Sequence, residues 1–226
     1  MQAVDISNYT GAIDAAWIAA RKAEGVGLFI VETVDPPAPY PKTQTVNQLL
    51  TLRAEKVITD IYDYLWWSDD YDSISKRLDL ADGFKLRRLW VDLECTTKDM
   101  PRNPTLRADH IKYALVRYTD WAAARSMSVG IYTGKWFVDG YLSGIDQSFI
   151  NGYPLWAPKS SVPNVWGAPL ALMQDPSTGN FSYETLSSSE EAAIKALLPV
   201  DKTAVVAEIQ THLAAISRLS QKLLEA

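Results

Sequence analysis

The chain has little from which to build a covalent or metal-held framework. One of its 226 residues is cysteine, Cys95, so no intrachain disulfide can form. The two histidines, His110 and His212, lie far apart, and no CxxC, HExxH or EF-hand spacing occurs. That removes the usual zinc and calcium sites; no metal and no cofactor is expected. Basic residues are not in excess: 22 Lys and Arg against 27 Asp and Glu give a net charge of -5. A nucleic-acid binder would show a basic stripe, and an anionic membrane surface calls for the same sign, so neither partner is expected. No apolar run approaches the ~20 residues of a membrane span. The opening Met1-Gln2-Ala3-Val4-Asp5-Ile6 has neither the basic nor the apolar region of a secretory leader. The expectation is a soluble chain made in the cytoplasm, which needs another way out if its substrate lies outside the cell. GxGxxG and GxxxxGK[ST] are missing too, which leaves the nucleotide-binding α/β architectures without support.

What is present is an alternation of apolar runs and helical patterns. Hydrophobic residues make up 47% of the chain, enough for one full-sized core. Runs such as VGLFIVETV, LWVDLEC, SVGIYT, YPLWA and LALMQ read as strands over 26–34, 89–95, 128–133, 153–157 and 170–174. Further strands are read over 3–7 and 57–67. Helices are expected over 13–25, 45–54, 73–80, 106–125 and 190–198, and a proline-rich loop over 35–41. Strands alternating with helices imply parallel βαβ units. Seven or eight of them favour closure, so the fold class is α/β, a modified TIM-like β/α barrel over residues 1–199.

Residues 200–226 differ. Val205, Ile209, Leu213, Ile216, Leu219 and Leu223 recur at steps of three and four, the pattern of an amphipathic C-terminal helix. It can pack on its own domain, or serve as a linker or a seam for self-association.

The informative motif is Val91-Asp92-Leu93-Glu94. Side chains two apart on a strand share a face, with their Cα atoms about 6–7 Å apart. Two carboxylates among apolar neighbours are costly unless they open into a solvated mouth, and in a β/α barrel the carboxyl ends of the strands form that mouth. Asp5, in Val4-Asp5-Ile6-Ser7, has the same setting. Acids crowded together raise one another's proton affinity, giving the division between one protonated and one ionised carboxyl that glycoside cleavage needs. Spacing alone leaves two alternatives open: a structural pair salt-bridged to Arg87, Arg88 or Lys98, and a Mg²⁺ site.

Taken in order, these segments resemble glycoside hydrolase family 25, the lysozyme-type muramidases common in phage endolysins. VDISNYTG looks like that family's first strand, with Asp5 in the acidic position. Trp17 and GVGLFIVETV are similar to its first helix and second strand. LWVDLE carries its acid-x-acid signature at Asp92 and Glu94, VGIYTGKWF resembles its IYT strand and PLWAPK resembles its LWxA strand. Gln174 with Ser177-Thr178-Gly179 is similar to its last strand and turn. The resemblance runs from residue 4 to about 198.

It implies a peptidoglycan substrate and hydrolysis of the β-1,4 bond from N-acetylmuramic acid to N-acetylglucosamine. Glu94 would be the general acid, Asp92 would orient the substrate's N-acetyl group as internal nucleophile, and Asp5 would stabilise charge. Tyr62, Tyr64, Tyr132, Trp156 and Gln174 would contact the sugar, with Tyr132 and Trp156 the foremost stacking aromatics. Such an enzyme would act on the cell wall after release by phage lysis or by a secretion route that needs no leader. The sequence also departs from the family. Ser182 stands where a carboxylate is expected, with Glu184 and Asp175 as nearby substitutes; the third strand has Tyr62-Asp63-Tyr64 and no histidine; and Met173 replaces an aromatic. These departures make a catalytically lapsed, carbohydrate-binding or virion structural barrel the alternative.

Overall fold

A computed structural model describes residues 1–33, 43–96, 99–161, 167–175 and 181–198. In chain order the elements are β1 (Gln2–Ile6), α1 (Ala15–Ala23), β2 (Val26–Glu32), α2 (Thr43–Ala54), β3 (Thr59–Tyr64), α3 (Tyr71–Leu78), β4 (Arg88–Asp92) and α4 (Pro104–Ala123). Then follow β5 (Ser128–Tyr132), α5 (Lys135–Tyr141), α6 (Gln147–Ile150), β6 (Leu155–Pro158), β7 (Leu170–Gln174), β8 (Phe181–Leu186) and α7 (Ser188–Leu197). The strands close into one barrel in sequence order, as the alternating pattern predicts. Contacts group the chain into Met1–Ile194, which holds the barrel, and Lys195–Ala226, of which only 195–198 are described. The expected loop over 35–41 and C-terminal helix over 200–226 lie outside the described residues.

Local signals set the helix starts. Asp14 accepts from the Trp17 amide at 2.7 Å, and Asp70 accepts from Ser73 at 2.8 Å. Asn103 caps α4, with Pro104 at the first helical position, where no amide proton is needed.

One strand departs from the parallel expectation. β1 to β7 pair parallel, but β8 runs antiparallel to both β7 and β1. Only positions 175–180 separate β7 from β8, and a parallel crossover needs about a dozen residues. The start of β8 therefore lies beside the carboxyl ends of the other strands, with Ser182 opposite Asp5.

Alternation along each strand sorts two cores. Outward residues such as Val4, Phe29, Val31, Ile61, Val91 and Ile131 pack under the helices with Ile18, Leu52, Ile74 and Leu115. Inward residues Leu28, Ile30, Trp90, Trp156, Leu172 and Leu186 fill the barrel, joined by Ile194 of α7. Gly130 makes room for the largest of these: a Cβ there would lie 2.4 Å from the Trp90 ring and 3.1 Å from the Pro154 carbonyl. Gly130→Ala is therefore expected to destabilise the fold by about 1–3 kcal/mol, read as a lower urea midpoint.

The amino end of the barrel is electrically closed. Arg87 grips Asp60 at 3.0 and 2.5 Å, Trp90 Nε1 donates to Asp60 at 2.9 Å, and Glu190 of α7 pairs with Arg87 and, at 3.0 Å, with Arg88. No helix among the described residues is long and apolar enough to cross a membrane.

Candidate active site

The carboxyl end of the barrel gathers acids from four strands. Asp5 comes from β1, Glu32 from the end of β2, Asp92 and Glu94 from β4 and the residues just after it, and Glu184 from β8. Asp92 and Glu184 are buried, and Glu94 is half-buried. Asp5 Oδ1, Asp92 Oδ1 and Glu184 Oε2 are each enclosed without a hydrogen-bond partner. Among the described residues no cation pairs with Asp5, Asp92, Glu94 or Glu184. Arg87 and Arg88, the partners considered for Asp92 and Glu94, are engaged at the opposite end, and Lys98 lies outside the described residues. No group of three or more His, Cys, Asp or Glu side chains among the described residues is arranged to hold a metal ion.

Burial and mutual repulsion favour protons here. Burial, and then the charge of Glu32, push the Asp5 carboxyl up to about 7 against the opposing Ser182 hydroxyl. Asp92 is raised well above the carboxylate range by burial, then by Glu94, Asp5 and Glu32. Burial alone raises Glu94. Glu184 is raised well above its usual value by burial and then by Asp5. All four shifts run upward, so each of these carboxyls keeps its proton to a higher pH than a free one.

The same shifts fix a sign for stability. A carboxyl that holds its proton more tightly folded than unfolded makes the native state bind more protons, so stability falls as pH rises. For Asp5 the window runs from 3.8 to about 7. Asp5→Asn is expected to stabilise the fold at pH 7 by about 1–3 kcal/mol and to make little difference below the window. Thermal unfolding of both proteins across that range measures it.

Aromatic and amide groups complete the mouth. Trp156 of β6 sits among Tyr132, Trp90 and Tyr62, with ring centroids 4.7, 5.8 and 5.9 Å away. Burial first, and then the surrounding acids, keep the hydroxyl protons on Tyr62 and Tyr132. Tyr64 lies in register beside Asp92 and packs on Trp66 at 4.9 Å. Tyr132 donates to Gln174 Oε1 at 2.7 Å, and Gln174 Nε2 donates to Ser182 at 3.2 Å.

The sequence expectation for Trp156 needs revising. It is 2% exposed, closed in by its three aromatic neighbours, and offers no open stacking face; Tyr132, 9% exposed, is buried in the same cluster with its hydroxyl on Gln174. Glu32 was not expected at all. It lies in an unbroken apolar run whose inner face is defined only when β2 pairs with β1 and β3. Of the two proposed stand-ins near Ser182, Glu184 faces the barrel interior. Asp175 turns away, bonded to Lys159 at 2.8 Å and Thr185 at 3.2 Å.

No protein-family model and no curated protein matches this sequence significantly. Among solved structures, a D-tagatose 3-epimerase-like protein superposes with a TM-score of 0.46 over 71% of this chain and 66% of its own, at 11% identity. A family 25 glycosyl hydrolase from Bacillus anthracis superposes with a TM-score of 0.64 over 86% of this chain and 92% of its own, at 12% identity. At that identity the likeness is one of fold: the chain is built on the same kind of barrel as that hydrolase, over nearly its full length.

Proposed function

We propose that the protein is a glycoside hydrolase acting on peptidoglycan, an N-acetylmuramidase with Glu94 as general acid. The observation that carries this reading is the acidic mouth, where carboxyls from four strands meet with no cationic partner for Asp5, Asp92, Glu94 or Glu184 among the described residues. A site that holds protonated and ionised carboxyls side by side can protonate a leaving oxygen and stabilise an oxocarbenium-like centre. Glu94, half-buried at the rim and raised by burial, is poised to give its proton to the glycosidic oxygen. Asp92, deeper on the same strand face, orients the substrate's N-acetyl group. The carbonyl oxygen of that group attacks the anomeric carbon as the glycosidic bond breaks. Water then opens the cyclic intermediate and returns a proton to Glu94. Asp5 stabilises the positive charge. The fold of a family 25 glycosyl hydrolase supports this reading, as do the matching segments VDISNYTG and LWVDLE.

One observation favours a second reading. A hydroxyl, Ser182, stands where the resemblance implies a carboxylate, and a lapsed barrel would bind glycan without cutting it. Purified cell walls separate the two. The muramidase reading expects clearing with new reducing ends on N-acetylmuramic acid. Reducing ends on N-acetylglucosamine would reassign the bond, release of peptide alone would indicate an amidase, and binding without clearing would establish the lapsed form.

A further inference from the structure

The Ser182 hydroxyl is surrounded by more partners than its own proton can serve. Its Oγ lies 3.2 Å from Gln174 Nε2, 2.9 Å from Glu184 Oε1 and 3.4 Å from Asp5 Oδ2. A hydroxyl has one proton and two lone pairs. Gln174 donates its amide proton into one lone pair, because its oxygen already accepts from Tyr132. One proton and one lone pair remain for two carboxyls. Both contacts are hydrogen bonds only if one carboxyl brings a proton of its own.

We infer that Asp5 and Glu184 hold a single proton between them through Ser182, with Glu184 the resting holder and a positioning residue for Asp5. The role in hydrolysis rests on the proposed function; the shared proton does not. Were both carboxyls ionised, one would face a lone pair with no proton between them. Among the described residues no cation offsets a second charge on the pair, and the Asp5 backbone amide compensates Glu184 only in part. Glu32 of β2, Tyr62 of β3, Asp92 of β4 and Tyr132 of β5 face it, and Asp175 lies beyond β7; all are acidic or neutral. Enclosure decides which carboxyl keeps the proton. Each has one enclosed oxygen without a partner, Asp5 Oδ1 and Glu184 Oε2, but Glu184 as a whole is 0% exposed whereas Asp5 is half-buried. Proton affinities run the same way, with Glu184 raised well above its usual value and Asp5 up to about 7.

With Glu184 neutral, its O–H donates to Ser182, and the Ser182 proton turns to Asp5, which stays ionised and oriented. The reverse arrangement moves one proton from Glu184 to Ser182 as another passes from Ser182 to Asp5. Total charge is unchanged and no solvent takes part. A hydroxyl backed by a buried acid thus replaces a carboxylate at position 182.

Infrared difference spectra at neutral pH test the shared proton without substrate. Wild-type-minus-variant spectra are expected to show one neutral-carboxyl carbonyl band missing from Glu184→Gln, whose amide keeps the donor to Ser182, while any bands of Asp92 and Glu94 are common to both and cancel. Loss in Asp5→Asn and not in Glu184→Gln would make Asp5 the holder and overturn the assignment; loss in neither would mean both are ionised. Ser182→Ala tests the positioning role. Removing the donor to charged Asp5 should move the acid limb of kcat/KM up by about 1 pH unit with KM little changed, and an unmoved limb would sink that role. A wild type that cuts no glycan defeats the proposed function, while the infrared result still decides where the proton sits.

Discussion

Glu94→Gln is expected to lower turnover on peptidoglycan by about 10²–10⁴-fold, the usual worth of a positioned general acid. KM should change little, because the amide keeps the shape and polarity of the acid and loses only the proton to give. Stability should hold or improve, since burial already disfavours the charged form of Glu94. The measurement is initial rates on soluble cell-wall fragments beside a thermal melt. A variant with near-wild-type rates would remove Glu94 from the chemistry and return Asp92 or Asp5 to consideration. A second readout comes from substrates with an activated leaving group. These need no proton to depart, so Glu94→Gln should recover most of its activity on them.

The largest loss of stability is expected from a cluster outside the mouth. Asp63 lies on the outer face of β3, fully buried. Arg77 of α3 reaches it through Nε at 3.1 Å and Nη2 at 2.8 Å, and reaches Asp69 through Nη1 at 2.6 Å and Nη2 at 2.7 Å. Tyr118 of α4 donates to Asp63 at 2.5 Å, and the Thr33 hydroxyl donates to its other oxygen. Removing the guanidinium leaves two carboxylates enclosed without their cation. Arg77→Leu should therefore cost about 3–5 kcal/mol and lower the urea midpoint by about 1–2 M. Arg77→Lys should recover only part of the loss, because a point charge cannot reproduce the fork to both acids. If Arg77→Leu unfolded with the wild-type midpoint, the cluster would contribute nothing net.

Asp92 and Glu94 stood out in the sequence because they stand two apart in a short run, LWVDLEC, whose other residues are apolar. Barrel closure was legible because apolar runs and helical patterns alternate along the whole chain. β8 was not read as a strand from its residues, and neither was its direction, since strand propensity carries no sense of pairing; the short 175–180 connection was the available signal for the direction. That reversal also placed Ser182 and Glu184. On a parallel strand the residues facing the mouth sit at the carboxyl end, and on β8 they sit near the start. Glu32 was hidden for another reason. Residues inside and outside the barrel are both apolar along β2, so no alternation showed which way position 32 turns. Trp156 and Tyr132 read alike in sequence as aromatics on neighbouring strands, and only packing shows that both turn into the barrel and close on each other edge to face.

The antiparallel seam between β1 and β8 also bears on how the protein comes into being. Ser182 and Asp5 are 177 positions apart in the chain. Contacts of that separation carry the greatest loop-closure entropy and form slowly. The first seven strands can be laid down between sequence neighbours, but the last seam joins the two ends of the ring. The Asp5–Ser182–Glu184 unit is therefore assembled only when the ring closes. An intermediate with the seam open would retain most of the helices and strands and lack the site, so catalytic competence should lag behind secondary structure during refolding.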